Sequence, residues 1–509
     1  MSRRSELLLW KSVVLVPLWM ALPAKIAYAQ VSQAGQAKAE SDLDRLTRQA
    51  NELFAAGKLE AAEQRYRQAL QLAPNDAQLH FNLALALGAL GDLKQERNEL
   101  ELSLQFHPGL AAAHNHLGLL AVQSGQISEA EKEFRAAIAD NPEYAEALNN
   151  LGALYSHEGR DSDAVEVFRQ ATEVDPDSSE AWVNLALTLA KTEGFSKAES
   201  ELQSVIEAKP TQAGAFTALG VVRARVGRAA DSIAPFQRAV ELQPDSSDAH
   251  LNLGIALVEQ GSTDKALSEL TAAVKLNANS AAAHMSLGHL YYLTGRYQEA
   301  RTELKSACRL QPTLEDAFYF LAIVERQENN IATATALARR VVALNPANAD
   351  AQFFLGQCLE KLGHTDEAIE HWKLAVQSDP NGSQALYSLA RALGRRNDPQ
   401  AKEYQNRFEE IKSREAITDQ VTMLRNFALQ AARAQNWPQA TDQMQQAISL
   451  CRSCSYSAIL HRNMAFIYKS TGKLDDAKKE LQMVLDIDPN DEKAQEALAD
   501  LSRISGSQQ

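Results

Sequence analysis

The chain has 509 residues, 51 of them basic and 65 acidic, for a net charge of −14, and only 15 are proline. A chain this acidic repels nucleic-acid phosphates and anionic lipid, so neither is an expected partner. Ala, Leu, Gln and Glu dominate and runs of β-branched residues are scarce, which argues against a strand-built core and predicts an all-helical chain.

The first element in chain order reads as an export signal over residues 1–29. Arg3 and Arg4 give a positive start, Val13 to Ala24 is a short apolar stretch, and Ala27-Tyr28-Ala29 places small residues where a signal peptidase reads, so cleavage before Gln30 is expected. Removing this segment takes four of the 51 basic and one of the 65 acidic residues and leaves a net charge of −17. Pro17, Pro23 and Lys25 interrupt the stretch, which is too short to span a bilayer comfortably. No membrane insertion is expected after cleavage, and the expected location is periplasmic or secreted. Residues 30–42 follow as a linker.

From Leu43 the sequence repeats every 34 residues. Eleven repeats without insertion start at Leu43, Ala77, Ala111, Ala145, Ser179, Ala213, Ser247, Ala281, Glu315, Ala349 and Ser383; two more start at Val421 and Ala458 after short insertions. We number them 1 to 13. Position 8 is Ala or Gly in every repeat, and position 20 is Ala in ten, Ala62, Ala130 and Ala266 among them. Only small side chains let two helix axes approach to about 8–10 Å. Position 7 is usually Leu, and position 24 is large, as in Tyr66, Phe134 and Trp372. Position 15 is Gly in nine repeats and position 32 is Pro in ten. The first ends a helix in a left-handed turn and the second stops the following helix. Residues Glu492 to Ser502 carry an apolar stripe of Ala494, Ala497, Leu498 and Leu501, suited to cap an array whose repeats bury their faces only on neighbours.

This pattern resembles the tetratricopeptide-repeat (TPR) family, most closely in ALNNLGALYSHEGRDSDAVEVFRQATEVDP from Ala147 onward, and the resemblance covers Leu43 to Asp491. It implies an all-α fold: a right-handed superhelical solenoid of about thirteen helix pairs with a C-terminal capping helix. The implied organisation is a main array at 43–416, a C-terminal pair with its cap at 417–503 and a tail at 504–509. Repeat 11 departs from the pattern. Pro399 opens its second helix, Lys402 replaces the small residue, Arg414 replaces the terminal Pro, and four extra residues precede Val421. The charged stretch from Arg395 to Gln420 reads as a joint, with one long helix as the alternative. Pro235 falls inside a second helix and predicts a local bend.

No phosphate loop, nucleophile elbow or metal-ligand spacing is present, so neither an enzyme nor a cofactor is expected. His80, His114, His250, His284 and His461 all occupy position 4. A repeating packing position explains them better than a metal ladder. Cys451 and Cys454 form a Cys-x-x-Cys pair without the βαβ setting of a redox motif. A short disulfide in an oxidising compartment is the favoured reading.

In the family that the repeats resemble, first helices line a concave groove through positions 5, 9 and 12. Carried onto this sequence, the resemblance implies a groove with Leu187, Val221, Leu251, Ile255, Tyr292, Tyr319 and Phe353. Asn recurs at position 6, as in Asn82, Asn150, Asn184 and Asn252. This is similar to the asparagine ladder in the repeat superhelix of O-linked N-acetylglucosamine transferases, which holds peptide backbone. An amide can donate and accept at once, so it pairs with any peptide bond. The leading expectation is a non-enzymatic scaffold binding an extended peptide or a partner helix. The alternative is a structural spacer or accessory subunit of a cell-envelope export or polysaccharide-synthesis complex.

Overall fold

Small residues at position 8 bring the two helices of a repeat together, and the computed structural model shows how closely. A Cβ added at Gly118 would lie 2.6 Å from the Phe134 ring, and one at Gly254 would lie 2.6 Å from Leu270 Cδ2. Position 24 thus fills the space that position 8 leaves open. The structure describes residues 41–506 other than 452, 453 and 455. The export signal expected at 1–29 lies outside the described residues.

Among the described residues every regular element is a helix, and there are 26 of them. Thirteen pairs and a cap would make 27; the difference arises because the second helix of repeat 11 and the first helix of repeat 12 are one continuous helix, Gln400–Arg433. The fold class is an all-α solenoid of tandem helix pairs. The described residues form two compact units, which divide between Val324 and Glu325.

In the first unit the helix pairs follow one plan, apart from the longer first helix of repeat 5, Ser179–Glu193. The first helix of repeat 7, Ser247–Gln260, ends at Gly261 with φ 81°, a left-handed residue whose N–H bonds back to the helix. Where position 4 is His or Trp, it latches its repeat to the one before. His80 Nε2 lies 2.9 Å from the carbonyl of Pro74, and His250 Nε2 lies 3.0 Å from that of Pro244. In repeat 5 the residue is Trp182, and its Nε1 donates to the Pro176 carbonyl at 3.0 Å. The other histidine nitrogen faces a glutamate at position 23 of its own repeat: His80 with Glu99, His114 with Glu133, and His284 with Glu303, at 2.5–2.6 Å. The Glu303 carboxylate holds His284 above the ordinary histidine range. These histidines serve packing, as their position suggested.

Positions 3 and 7 of a first helix meet the second helix of the preceding repeat. In repeat 2 they are Leu79 and Leu83, 3 % and 0 % exposed, and they share a core with Tyr66, Ala69 and Leu70 of the helix Leu59–Leu72. Pro235 lies within the helix Ala229–Leu242, which runs through it. Proline offers no N–H to the Asp231 carbonyl one turn back. Arg223 Nη1 from the first helix of the same repeat donates to that carbonyl instead, at 3.2 Å.

In the second unit, repeat 10 pairs Ala349–Lys361 with Thr365–Ser378, and the Trp372 ring covers Gly356. Position 15 is not Gly in four repeats, and in three of them Asn329, Asn397 and Gln435 take positive φ, from 56° to 64°. In the fourth, repeat 5, Glu193 ends the helix Ser179–Glu193 and the positive φ, 90°, moves on to Gly194. The joint expected at Arg395–Gln420 is largely helical: Gln400–Arg433 runs without a break, and residues 412–417 are exposed on every side. Ion pairs Arg414–Glu410 and Lys412–Glu415 lace this bare stretch. The helix Glu492–Gly506 caps the array, burying Ala494 and Leu501 with Leu481 and Val484.

Candidate protein-binding face

The layer of first helices in the first unit carries the candidate site. Stacking brings position 6 of one repeat beside position 5 of the repeat before. Asn150 Nδ2 donates to Asn115 Oδ1 at 2.9 Å, and Asn115 Nδ2 donates to Glu146 Oε1 at 3.2 Å. One repeat further on, Asn184 Nδ2 donates to Asn149 Oδ1 at 3.0 Å, and Asn149 Nδ2 donates to Glu180 Oε1 at 3.0 Å. The inner asparagines Asn115 and Asn149 are buried, while Asn150 and Asn184 are half-buried. Among the described residues no hydrogen bond is recorded to Oδ1 of Asn150 or Asn184. Each outer amide is thus oriented by its own N–H and keeps an acceptor oxygen open.

The glutamates at the end of each chain keep solvent-facing surface. The surrounding helices nevertheless desolvate both carboxyls and push them above the ordinary carboxylate range, against the opposing pull of the asparagine hydrogen bonds. Asp248 and Glu146 add negative charge near Glu180 and raise it further.

The other expected site residues divide. Asn82 is half-buried and accepts from Gln78 Nε2 at 3.0 Å; Asn252 is half-buried in repeat 7. Val221, Leu251 and Ile255 are 2 %, 4 % and 1 % exposed and belong to the core shared by repeats 6 to 8. This corrects the expectation that they line a groove: positions 5 and 9 of successive first helices interlock, so they close the layer from inside. Leu187 is half-buried and packs against that same cluster. Tyr292 is half-buried with its ring 6.5 Å from that of His289, and Tyr319 is half-buried 6.2 Å from the Phe320 ring. Phe353 lies in the second unit, half-buried, its carbonyl accepting from Trp372 Nε1 at 3.2 Å. Sequence reasoning passed over Asn115 and Asn149, although the doublet Asn149-Asn150 and the acid at position 2 of the next repeat were the signals that could have found them.

Cys451 and Cys454 are joined by a disulfide with Cα atoms 5.0 Å apart, while Cys308 and Cys358 are free thiols. Among the described residues no cluster of three or more His, Cys, Asp or Glu could hold a metal ion, and no helix is long and apolar enough to cross a membrane.

Family models for tetratricopeptide repeats match residues 50–91, 325–393 and 463–491, and a model of the C-terminal domain of cilia and flagella-associated protein 70 matches residues 107–316. The chain belongs to the tetratricopeptide-repeat family. This TPR protein is a protein–protein interaction scaffold by family. Comparison with curated proteins gives no match. Several solved structures are similar to this chain. YrrB, described as a TPR protein with an unusual peptide-binding site, is 24 % identical over 35 % of this chain and 92 % of its own, with a TM-score of 0.31. Pseudomonas aeruginosa pilF is 21 % identical over 40 % of this chain and 97 % of its own, with a TM-score of 0.36. Yeast Tom70 is 15 % identical over 92 % of this chain and 96 % of its own, with a TM-score of 0.34.

Proposed function

We propose that this TPR protein is an exported, non-enzymatic scaffold that holds extended peptide segments on the first-helix layer of repeats 3 to 5. The observation that carries the reading is the pair of anchored amides. Asn150 and Asn184 sit one repeat apart, each fixed by a neighbour and each with an acceptor oxygen open. Two such oxygens can take backbone N–H groups from one strand regardless of its side chains. Fixing the amides in advance removes an ordering cost at binding. The carboxyls of Glu146 and Glu180 beside them favour a segment that carries a Lys or Arg. Export rests on the Arg3 to Ala29 pattern and accords with a disulfide at Cys451–Cys454.

The test is binding of several unrelated fluorescein-labelled extended peptides to the full chain and to Asn150→Ala/Asn184→Ala. Each lost neutral hydrogen bond is worth about 0.5–1.5 kcal/mol, so affinity for all peptides should fall together by roughly five- to a hundredfold. A folded double variant that binds every peptide as before would sink the reading. N-terminal sequencing of protein from the native host should find Gln30 or a close neighbour; an intact Met1 on cytoplasmic protein would remove the export claim. A second reading, a spacer in an envelope complex, draws on the continuous helix Gln400–Arg433. At 1.5 Å per residue its 34 residues reach about 50 Å. One stoichiometric partner that ignores the asparagine variant would favour that reading.

A further inference from the structure

First helices from repeat 2 onward have an edge, positions 3 and 7, that the preceding second helix covers in the regular stack. In repeat 13 the edge is Leu460 and Met464, 0 % and 1 % exposed. They share a core with Ala440, Met444 and Ala447 of the second helix of repeat 12, Trp437–Leu450. Repeat 12 itself breaks the plan. Its positions 3 and 7 are Met423 and Phe427, 49 % and 48 % exposed. The helix that would cover them is part of the same continuous rod, Gln400–Arg433, and runs on along the axis without folding back.

Two comparisons within the molecule show that this edge is more than a plain end. Repeat 1 has no repeat before it, and it fills positions 3 and 7 with Arg45 and Gln49. Repeat 12 fills them with a Met and a Phe. Nor can the chain cover the edge by bending at 412–417. A covering helix offers apolar residues at positions 20, 24, 27 and 28, as repeat 12 does with Ala440, Met444, Ala447 and Ile448. In repeat 11 those positions are Lys402, Asn406, Glu409 and Glu410, all exposed and polar. A second copy offers no better face. The corresponding side of the last second helix, Leu474–Ile487, is already buried under the cap through Ala477, Leu481 and Val484.

We propose that the open edge of repeat 12 docks an amphipathic helix from another protein, seated as Trp437–Leu450 is seated on Leu460 and Met464. The contact continues the repeat-to-repeat interface that the array already uses. Side-chain size sets the chemistry of the occupant. Position 3 is Ala in repeats 3 to 11, whereas Met423 and Phe427 together take more room. The docking helix therefore presents small residues seven apart, in the manner of Ala440 and Ala447, around one flexible apolar side chain. It needs no particular residue on its outer face.

The probe is a stapled, fluorescein-labelled helical peptide with the sequence of residues 437–450, titrated onto the full chain by anisotropy. Stapling is needed because a free helix this short is marginal in water. Saturable binding is expected, weakened about tenfold or more by Met423→Lys/Phe427→Lys, since two large apolar side chains leave the contact. The control Phe466→Lys removes another exposed aromatic, 55 % exposed, and should bind as the parent does. Thermal melts of both variants should match the parent. The proposal is overturned by unsaturable binding, by equal binding to the double variant, or by equal losses in the control. It is also overturned by a parental dimer in sedimentation that Met423→Lys/Phe427→Lys dissolves, which would make the edge a self-interface.

Discussion

Repeat 4 ends at Pro176 and repeat 11 ends, at the same position 32, in Arg414. The proline stops the helix Asp161–Val174, and the next first helix returns with Ala181 and Leu185 buried at 1 % and 3 %. The arginine lets the helix run for 34 residues, and Met423 and Phe427 stay half exposed. A third solution appears at repeat 12, where position 32 is Arg452 and the turn holds the disulfide Cys451–Cys454. The contrast teaches that an apolar residue in the right register is not thereby buried. The chain must also reverse: a proline at position 32 favours that, although repeat 7 reverses with Ala278 there and buries Ala283 and Leu287 at 0 % and 3 %.

The largest expected effect contrasts position 7 in the two settings. Leu253→Ala, in a covered edge, should cost about 2–5 kcal/mol, and Phe427→Ala under about 1 kcal/mol. Denaturant unfolding of the two variants measures this, and equal losses would mean the edge of repeat 12 is covered after all. Next comes Arg414→Pro, which places the missing stop in a helix interior. It should cost about 3 kcal/mol of local helix. New trypsin cleavage within residues 402–414 is expected, while repeats 12 and 13 stay resistant; an unchanged digest would show that the rod was already broken.

Position 20 gives a pH-dependent version of the same contrast. Glu96 in repeat 2 is 7 % exposed, and burial pushes its carboxyl up to about 7. Its neighbour across the helix crossing is Gly88, where a Cβ would lie 2.6 Å from the carboxyl. The folded chain holds this proton more tightly than the unfolded chain. Stability is therefore fully present below pH 4.5 and lost as pH rises through about 7. Glu96→Gln should stabilise by up to about 3 kcal/mol at pH 8 and by little at pH 4. Melts that gain equally at both pH values would place the Glu96 carboxyl in water. The smallest effect belongs to the disulfide. Reduction of Cys451–Cys454 should cost no more than about 2 kcal/mol, because the closed loop is short. Thiol counting on unfolded, unreduced protein should find two free thiols; four would rule the bond out.

Much of the fold was legible because a 34-residue period writes the contacts within one repeat into the sequence. Gly254 against Leu270 and Gly118 against Phe134 are such contacts. So is the left-handed turn at position 15, which even Asn329, Asn397 and Gln435 obey. The candidate site was less legible. Asn150 and Asn184 were found at position 6, but their partners Asn115 and Asn149 belong to the preceding repeats. The family resemblance implies that Val221, Leu251 and Ile255 line a groove, whereas they are core.

The sequence by itself determined the helical class, the repeat frame, the small-to-large crossing at positions 8 and 24, and the stop at position 32. All of these depend on residues within a few turns of one another. Only the tertiary structure decided which first-helix residues face a neighbour and which face solvent. That depends on the angle at which successive repeats stack, and no local spacing records it. The same holds for the rod Gln400–Arg433. The sequence showed that its stop was missing, but only the folded chain showed that the helix ran on and left Met423 and Phe427 uncovered.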